Sequence, residues 1–219
     1  FEDLNNSGGD DYSNTESQFL IPYGVKEIDD YAWEGCKGLR ELNLPESIRS
    51  IGSFVVKFCP NLKEFVIPDS CETIKGIVVI GSTELDRIHI GKSLKSIEWI
   101  FYTDCVREIT CDPDNQYFMT QEGILYDKSG ETVLSIPPSV SQDVVIREGC
   151  VHMNKDMLDS WQYPKITVSQ GTHIDAFFPH FRTLSIPSTL VDIILNYAFH
   201  FMTELESISV HPDNPNFTS

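Results

Sequence analysis

The chain is short of most features that would make it a membrane protein, a nucleic-acid binder or an enzyme. No run approaches the roughly 18 apolar residues that a transmembrane helix needs. It also carries no signal peptide and opens on Phe1 rather than Met, as expected of a mature or trimmed product whose targeting segment is gone. Basic residues are scarce, with 16 Lys and Arg against 33 Asp and Glu, for a net charge of −17. Phosphate backbones and anionic membrane surfaces both require a basic stripe, so neither is an expected partner. Basic proteins, cations and neutral glycans stay open, and the acidity also serves to keep a large exposed surface soluble. Catalytic signatures are missing too. The six histidines, at 89, 152, 173, 180, 200 and 211, are scattered, and no HExxH, Gly-x-Ser-x-Gly elbow or Gly-rich phosphate loop occurs. No CxxC or other zinc spacing joins the six cysteines. The chain is therefore expected to be non-enzymatic, with no catalytic residues, no metal and no cofactor.

What is present is an internal repeat. Hydrophobic residues make up 41% of 219, enough for a sizeable core. Residues 1–18 are polar and acidic around Gly8-Gly9 and read as a flexible leader, because they cannot bury enough apolar surface to fold alone. From residue 19 onward, short apolar stretches end on a turn residue: Leu20-Ile21-Pro22, Leu42-Asn43-Leu44-Pro45, Phe65-Val66-Ile67-Pro68 and Ile88-His89-Ile90-Gly91. The turn residues sit at 22, 45, 68 and 91, a constant step of 23. Other columns keep it. Val25, Ile48, Cys71 and Leu94 form one; Ile28, Ile51, Ile74 and Ile97 another; Trp33, Val56, Val79 and Tyr102 a third. Cys36, Cys59, Ser82 and Cys105 follow, then Leu39, Leu62, Leu85 and Val106.

Later copies are looser. With the last strand residue as marker, the series continues through Cys111, Ile146, Val168, Ile186 and Val210. Between Cys111 and Ile146, the alternating Gly123–Tyr126 and Val133–Ile136 flank a turn at Lys128-Ser129-Gly130, predicting a β-hairpin inserted over about 112–137. The run Asp112-Pro113-Asp114-Asn115 with Phe118 returns as His211-Pro212-Asp213-Asn214 with Phe217, where a second hairpin is expected to begin. These runs resemble fragments of a calcium loop. The sixth position from Asp112 is Tyr117 instead of Gly, however, so turn chemistry is the better reading.

Strand alternation then orients each copy. In Arg40-Glu41-Leu42-Asn43-Leu44, Leu42 and Leu44 point one way and Glu41 and Asn43 the other, and Pro45 ends the strand. One copy alone exposes its apolar face. Stacking copies at about 4.8 Å covers that face and pairs the strands into a parallel sheet. Residues 20–45, with Ile21-Pro22, Val25, Ile28, Ala32-Trp33, Cys36, Leu39, Leu42 and Leu44-Pro45, resemble the BspA-like leucine-rich repeat. Tyr197-Ala198-Phe199 restarts the pattern, and the Asp-Pro-Asp-Asn hairpin is similar to an element that recurs in that family. The resemblance covers about 19–219 and weakens at 150–182. It implies a right-handed leucine-rich-repeat solenoid over 19–219, with a parallel β-sheet on the concave face, mostly short strands and loops with little helix on the other side, and one inserted hairpin. It further implies a bacterial protein, secreted or on the outer cell surface, associated with adhesion. Such proteins are often lipid-anchored, which would put a lipid anchor upstream of Phe1.

The expected function is recognition of a protein or glycan through the concave face. The alternative is a structural spacer that displays a neighbouring domain. The outward strand residues are the candidate binding set: Glu41, Asn43, Glu64, Val66, Arg87, His89, Glu108 and Thr110. Clustered aromatics on that face would favour binding and a uniformly charged face a spacer. Trp33, Trp99 and Trp161 are candidates for a sugar-stacking platform, although Trp33 falls in the core column. Cys36 and Cys59 sit on neighbouring copies within bridging range. Their column is nevertheless read as a ladder of small buried residues with reduced thiols, since free Cys is among the most buried types.

Overall fold

In the computed structural model the described residues are 18–76, 78–97, 101–102, 105–137, 143–153, 182–193 and 204–217. They form short β-strands and no helix. The first coil of the chain contributes β1 (Gln18–Leu20) and β2 (Glu27–Ile28). The second adds β3 (Glu41–Asn43), β4 (Ser50–Ile51) and β5 (Val56–Lys57). The third repeats these as β6 (Glu64–Val66), β7 (Thr73–Ile74) and β8 (Val79–Ile80). Then come β9 (Arg87–Ile90), β10 (Phe101–Tyr102) and β11 (Glu108–Cys111). Three parallel walls result. The front wall holds β1–β3 and β6–β9–β11, the second wall β2–β4–β7, and the third β5–β8–β10.

The 23-residue step in the sequence is the strand register. Gln18 pairs with Glu41, Glu64 with Arg87, and Ile51 with both Ile28 and Ile74. The apolar columns fill the space between the walls. Leu39, Ile48, Ile51, Val56, Leu62, Phe65, Ile67, Ile74, Val79, Leu85, Ile88 and Leu94 are all buried. Trp33 lies in this core, tilted against Phe19 with ring centroids 6.4 Å apart. Each such side chain contributes roughly 1.5–3 kcal/mol by leaving water.

Polar groups at the corners stitch one coil to the next. Ser47 Oγ donates to the Val25 carbonyl at 2.7 Å, and one coil on Ser70 Oγ donates to that of Ile48 at 2.7 Å. The Cys36 column does the same with sulfur. Cys59 Sγ donates to Trp33 O at 3.0 Å, Ser82 Oγ to Val56 O at 2.9 Å, and Cys105 Sγ to Ser82 O at 2.9 Å. All six cysteines are free thiols. Gly91 replaces proline in the turn column because the chain there presses on the previous coil; a Cβ would collide with the Pro68 carbonyl.

The insertion is larger than a hairpin. Strands β12 (Phe118–Gln121), β13 (Ile124–Asp127) and β14 (Thr132–Ser135) form an antiparallel meander. Its first turn is Glu122-Gly123, both with positive φ (52° and 79°), the conformation of a two-residue type I′ hairpin. The strand β14 then pairs in parallel with β16 (His152–Met153), which pairs with β18 (Asp192–Ile193), so the meander and these strands form one five-stranded sheet. The front wall resumes as β15 (Asp143–Val145), β17 (Thr183–Ile186) and β19 (Ser207–Val210). Here one expectation is corrected. Val145 pairs directly with Ser185, so β15 and β17 are neighbours in the sheet, where the sequence predicts a strand ending at Val168 between them. Val168 itself, residues 1–17, and Tyr197-Ala198-Phe199 lie outside the described residues.

Asn115 anchors the meander to the solenoid. Its buried side-chain amide donates to Gly91 O at 2.9 Å and Leu94 O at 3.1 Å, while its Oδ1 accepts from Tyr117 N at 2.7 Å and Phe118 N at 2.9 Å. Asn214 repeats all four bonds, donating to Pro187 O and Leu190 O and accepting from Asn216 N and Phe217 N. The Asp-Pro-Asp-Asn and His-Pro-Asp-Asn runs are thus carboxamide clamps on the turn of the preceding coil.

Candidate recognition face

A strand in a one-sided sheet hides alternate side chains and presents the others. On the front wall Leu42, Phe65, Ile88 and Ile109 are the buried set. The outward set falls into two columns. The first is Glu41, Glu64, Arg87 and Glu108, all exposed. The second is Asn43, Val66, His89 and Thr110, of which His89 and Thr110 are half-buried. Strand register places Arg87 directly between Glu64 and Glu108, and His89 between Val66 and Thr110. His89 Nδ1 lies 2.9 Å from Thr110 Oγ1, which fixes the ring on the sheet. All eight residues therefore share one face.

A flanking column, not evident from strand alternation, lies beside these two. The residues just before each strand, Arg40, Lys63, Asp86 and Arg107, stack in the same register: Asp86 N donates to Lys63 O and Arg107 N to Asp86 O, both at 2.9 Å. Arg107 Nε lies 3.0 Å from Asp86 Oδ1. A shallow depression of about 430 Å³ is bordered by Arg40, Glu41, Lys63, Glu64, Val66 and Arg87. The same outward alternation, applied past the insertion, would have found Asp143, Thr183 and Ser207, and Val145, Ser185 and Ser209. These form a second run dominated by hydroxyls. Thr183 Oγ1 donates to Asp143 Oδ1 at 2.8 Å, and the Ser185 and Ser209 hydroxyls are 3.0 Å apart.

Among the described residues, neither outward column carries a Phe, Tyr or Trp. The expected signatures are both missing from the face, which has no aromatic cluster and no uniform charge. Aromatics gather instead at the corner leading into β5. Tyr31 and Phe54 stack with centroids 5.1 Å apart, and Lys57 Nζ sits 5.2 Å from the centroid of the Phe58 ring and 2.6 Å from Glu34 Oε1. Tyr31, Phe54 and Phe58 all have positive φ (61°, 59° and 56°), and the Phe58 ring lies over Gly81. Trp99 and Trp161 lie outside the described residues.

Electrostatic shifts follow local pairing. Lys95 holds the Glu72 carboxyl below its ordinary range, and Asp114 and Glu206 hold Lys92 and Arg182 above theirs, all in exposed pairs. Burial pushes the Cys59 thiol up to about 12 and the Cys71 and Cys111 thiols to about 11. Among the described residues no group of three or more His, Cys, Asp or Glu comes together as a metal cage, and no helix is long and apolar enough to cross a membrane.

Comparison with known proteins places the repeat. Residues 11–121 match the BspA type leucine rich repeat region in 6 copies. No curated protein matches the sequence. Among solved structures, the pneumococcal vaccine antigen PcpA superposes with a TM-score of 0.58 at 16% identity, over 88% of this chain and 50% of that one. A leucine-rich repeat protein from Eubacterium ventriosum gives a TM-score of 0.52 at 16% identity, over 89% and 60%. The chain thus spans half to three fifths of the length of these two structures, and at this identity the likeness is one of fold.

Proposed function

This chain belongs to the BspA-type leucine-rich-repeat family, and on that premise we propose that it is a non-enzymatic recognition module whose concave strand face binds a protein partner outside the bacterial cell. The observation that carries this reading is the face itself. The two outward columns stand in register on a rigid sheet around a shallow depression, while the polar groups at the coil corners are taken up in holding coils together. Side chains held on a preformed scaffold lose little freedom when a partner docks. A protein is favoured over a glycan because sugar recognition leans on aromatic platforms, and the outward columns contain none among the described residues. Extracellular or outer-surface placement is supported by the family and by the likeness to PcpA, a vaccine antigen, and adhesion is the purpose proposed for it.

The coil-to-coil stitching by Ser47, Ser70 and Asn115 also suits the second reading, a stiff spacer that displays a neighbouring domain. Pull-down from host extracellular matrix, run beside a glycan array, separates the two. The double variant Glu64→Ala with Arg87→Ala is expected to lose the captured protein while melting normally. Capture that does not change would show that the face is the wrong one. No capture by either protein supports the spacer, and array binding would replace protein by glycan.

A further inference from the structure

The front face carries an ordered charge pattern that differs from the rest of the molecule. Along the solenoid axis the flanking column reads Arg40, Lys63, Asp86, Arg107, and the first outward column reads Glu41, Glu64, Arg87, Glu108. Each of these four coils thus presents one cation and one anion side by side, and the coil of β9 reverses their order. Asp86 is half-buried and the other seven are exposed. Four positive and four negative groups cancel on this face, in a chain whose net charge is −17. The pattern ends at the insertion. In the second run the outward column is Asp143, Thr183 and Ser207, and the flanking Arg182 is held by a bidentate pair to Glu206, with contacts of 2.6–2.8 Å. Three strand spacings of about 4.8 Å give the pattern a length of roughly 15 Å along the axis.

Resting on the reading of this face as a protein-recognition surface, we propose that its partner is a polypeptide surface carrying both signs of charge, and that the order of those charges is what the face reads. A polyanion would meet four carboxylates here and net repulsion from a chain of charge −17. A uniform polycation would be drawn to the chain as a whole but would have to seat against Arg40, Lys63, Arg87 and Arg107. The complement of an alternating lattice is itself alternating, with acids opposite Arg40, Lys63 and Arg87 and bases opposite Glu41, Glu64 and Glu108, while Arg107 and Asp86 pair with each other at 3.0 Å. Complementary charge of this kind sets register and rejects wrong partners more than it adds raw affinity.

The test changes order without changing composition. The variant Asp86→Arg with Arg87→Asp keeps every charge on the face but removes the reversal at β9. Fluorescently labelled full chain, native and variant, is applied to an array of short peptides with equal lysine and glutamate that differ only in sequence order, together with oligo-lysine and oligo-glutamate. The two proteins are expected to rank the mixed peptides differently, with the native favourite losing on the order of tenfold in signal on the variant, and to retain oligo-lysine equally. Identical rankings, or no retention of mixed peptides by either protein, overturn the inference. A lowered melting temperature with an unchanged ranking would show that the alternation only steadies the sheet, which also overturns it. If the swap at β9 unfolds the chain, Arg107→Glu with Glu108→Arg makes the same comparison one coil further on. Equal rankings combined with partner capture that still depends on Glu64 and Arg87 would sink the charge-order inference alone. Capture indifferent to those two residues would sink the recognition reading beneath it.

Discussion

Asn115→Ala isolates how the insertion is held. The native side chain makes four hydrogen bonds of 2.7–3.1 Å from a buried position, two as donor to coil-turn carbonyls and two as acceptor from backbone N–H groups. At roughly 1 kcal/mol net per bond, with a larger penalty for each buried group left unpaired, the substitution should cost about 4 kcal/mol. That is a large share of the stability of an ordinary domain. Urea denaturation followed by far-ultraviolet circular dichroism reads the loss, and native-state hydrogen exchange locates it at the Tyr117 and Phe118 amides. Asn214→Ala removes the same four bonds at the far end of the chain, where Phe217 is only partly buried, and should cost less. A change below about 1 kcal/mol for Asn115→Ala, within the span of a single ordinary hydrogen bond, would refute the clamp.

Two further outcomes follow from the core. Ile67→Lys puts an unpaired ammonium among fully buried side chains and should unfold the coil, a loss of more than about 4 kcal/mol by chemical denaturation; a normally melting variant would overturn the inward register. Thiol titration in denaturant should count six free cysteines, with Cys59, Cys71 and Cys111 slow to react in the folded protein. Burial raises the folded thiol pKa above the unfolded value near 9, so the unfolded chain loses its protons first. Stability should therefore be whole below about pH 9 and fall as pH rises toward 11 to 12, the opposite of what deprotonation-driven stabilisation would give.

Much of the front half was legible because a repeat that stacks on itself shows its own register. Pro22, Pro45 and Pro68 recur at the spacing by which Gln18 meets Glu41 and Glu64 meets Arg87. The inward and outward columns followed from alternation alone, which is why the eight candidate residues fall on one face. The back half was harder because a coil's length is fixed by which strands pair, and local pattern cannot choose among apolar candidates. Val168 fits a strand marker as well as Ile186 does, yet Val145 pairs with Ser185. Strand β12 escaped notice because Tyr117, Phe118 and Met119 do not alternate cleanly. The clamp hid in a run that reads as ordinary turn chemistry, since nothing in Asp-Pro-Asp-Asn reveals that the Asn is buried. One missed signal was available. The column of Gly35, Phe58 and Gly81 puts an aromatic where both neighbours are glycine, and all three have positive φ.

The in-register ladders have a mechanical consequence. Hydrogen bonds between coils run along the solenoid axis, so tension applied to the two ends pulls on them lengthwise and few at a time. Such a molecule should yield by peeling, one coil after another, instead of rupturing as a unit. A coil of the Gln18-to-Glu41 spacing, 23 residues, pays out roughly 80 Å of extended chain when it lets go. In any solenoid of this build held by its two ends, that sets a stepwise limit on the force it transmits.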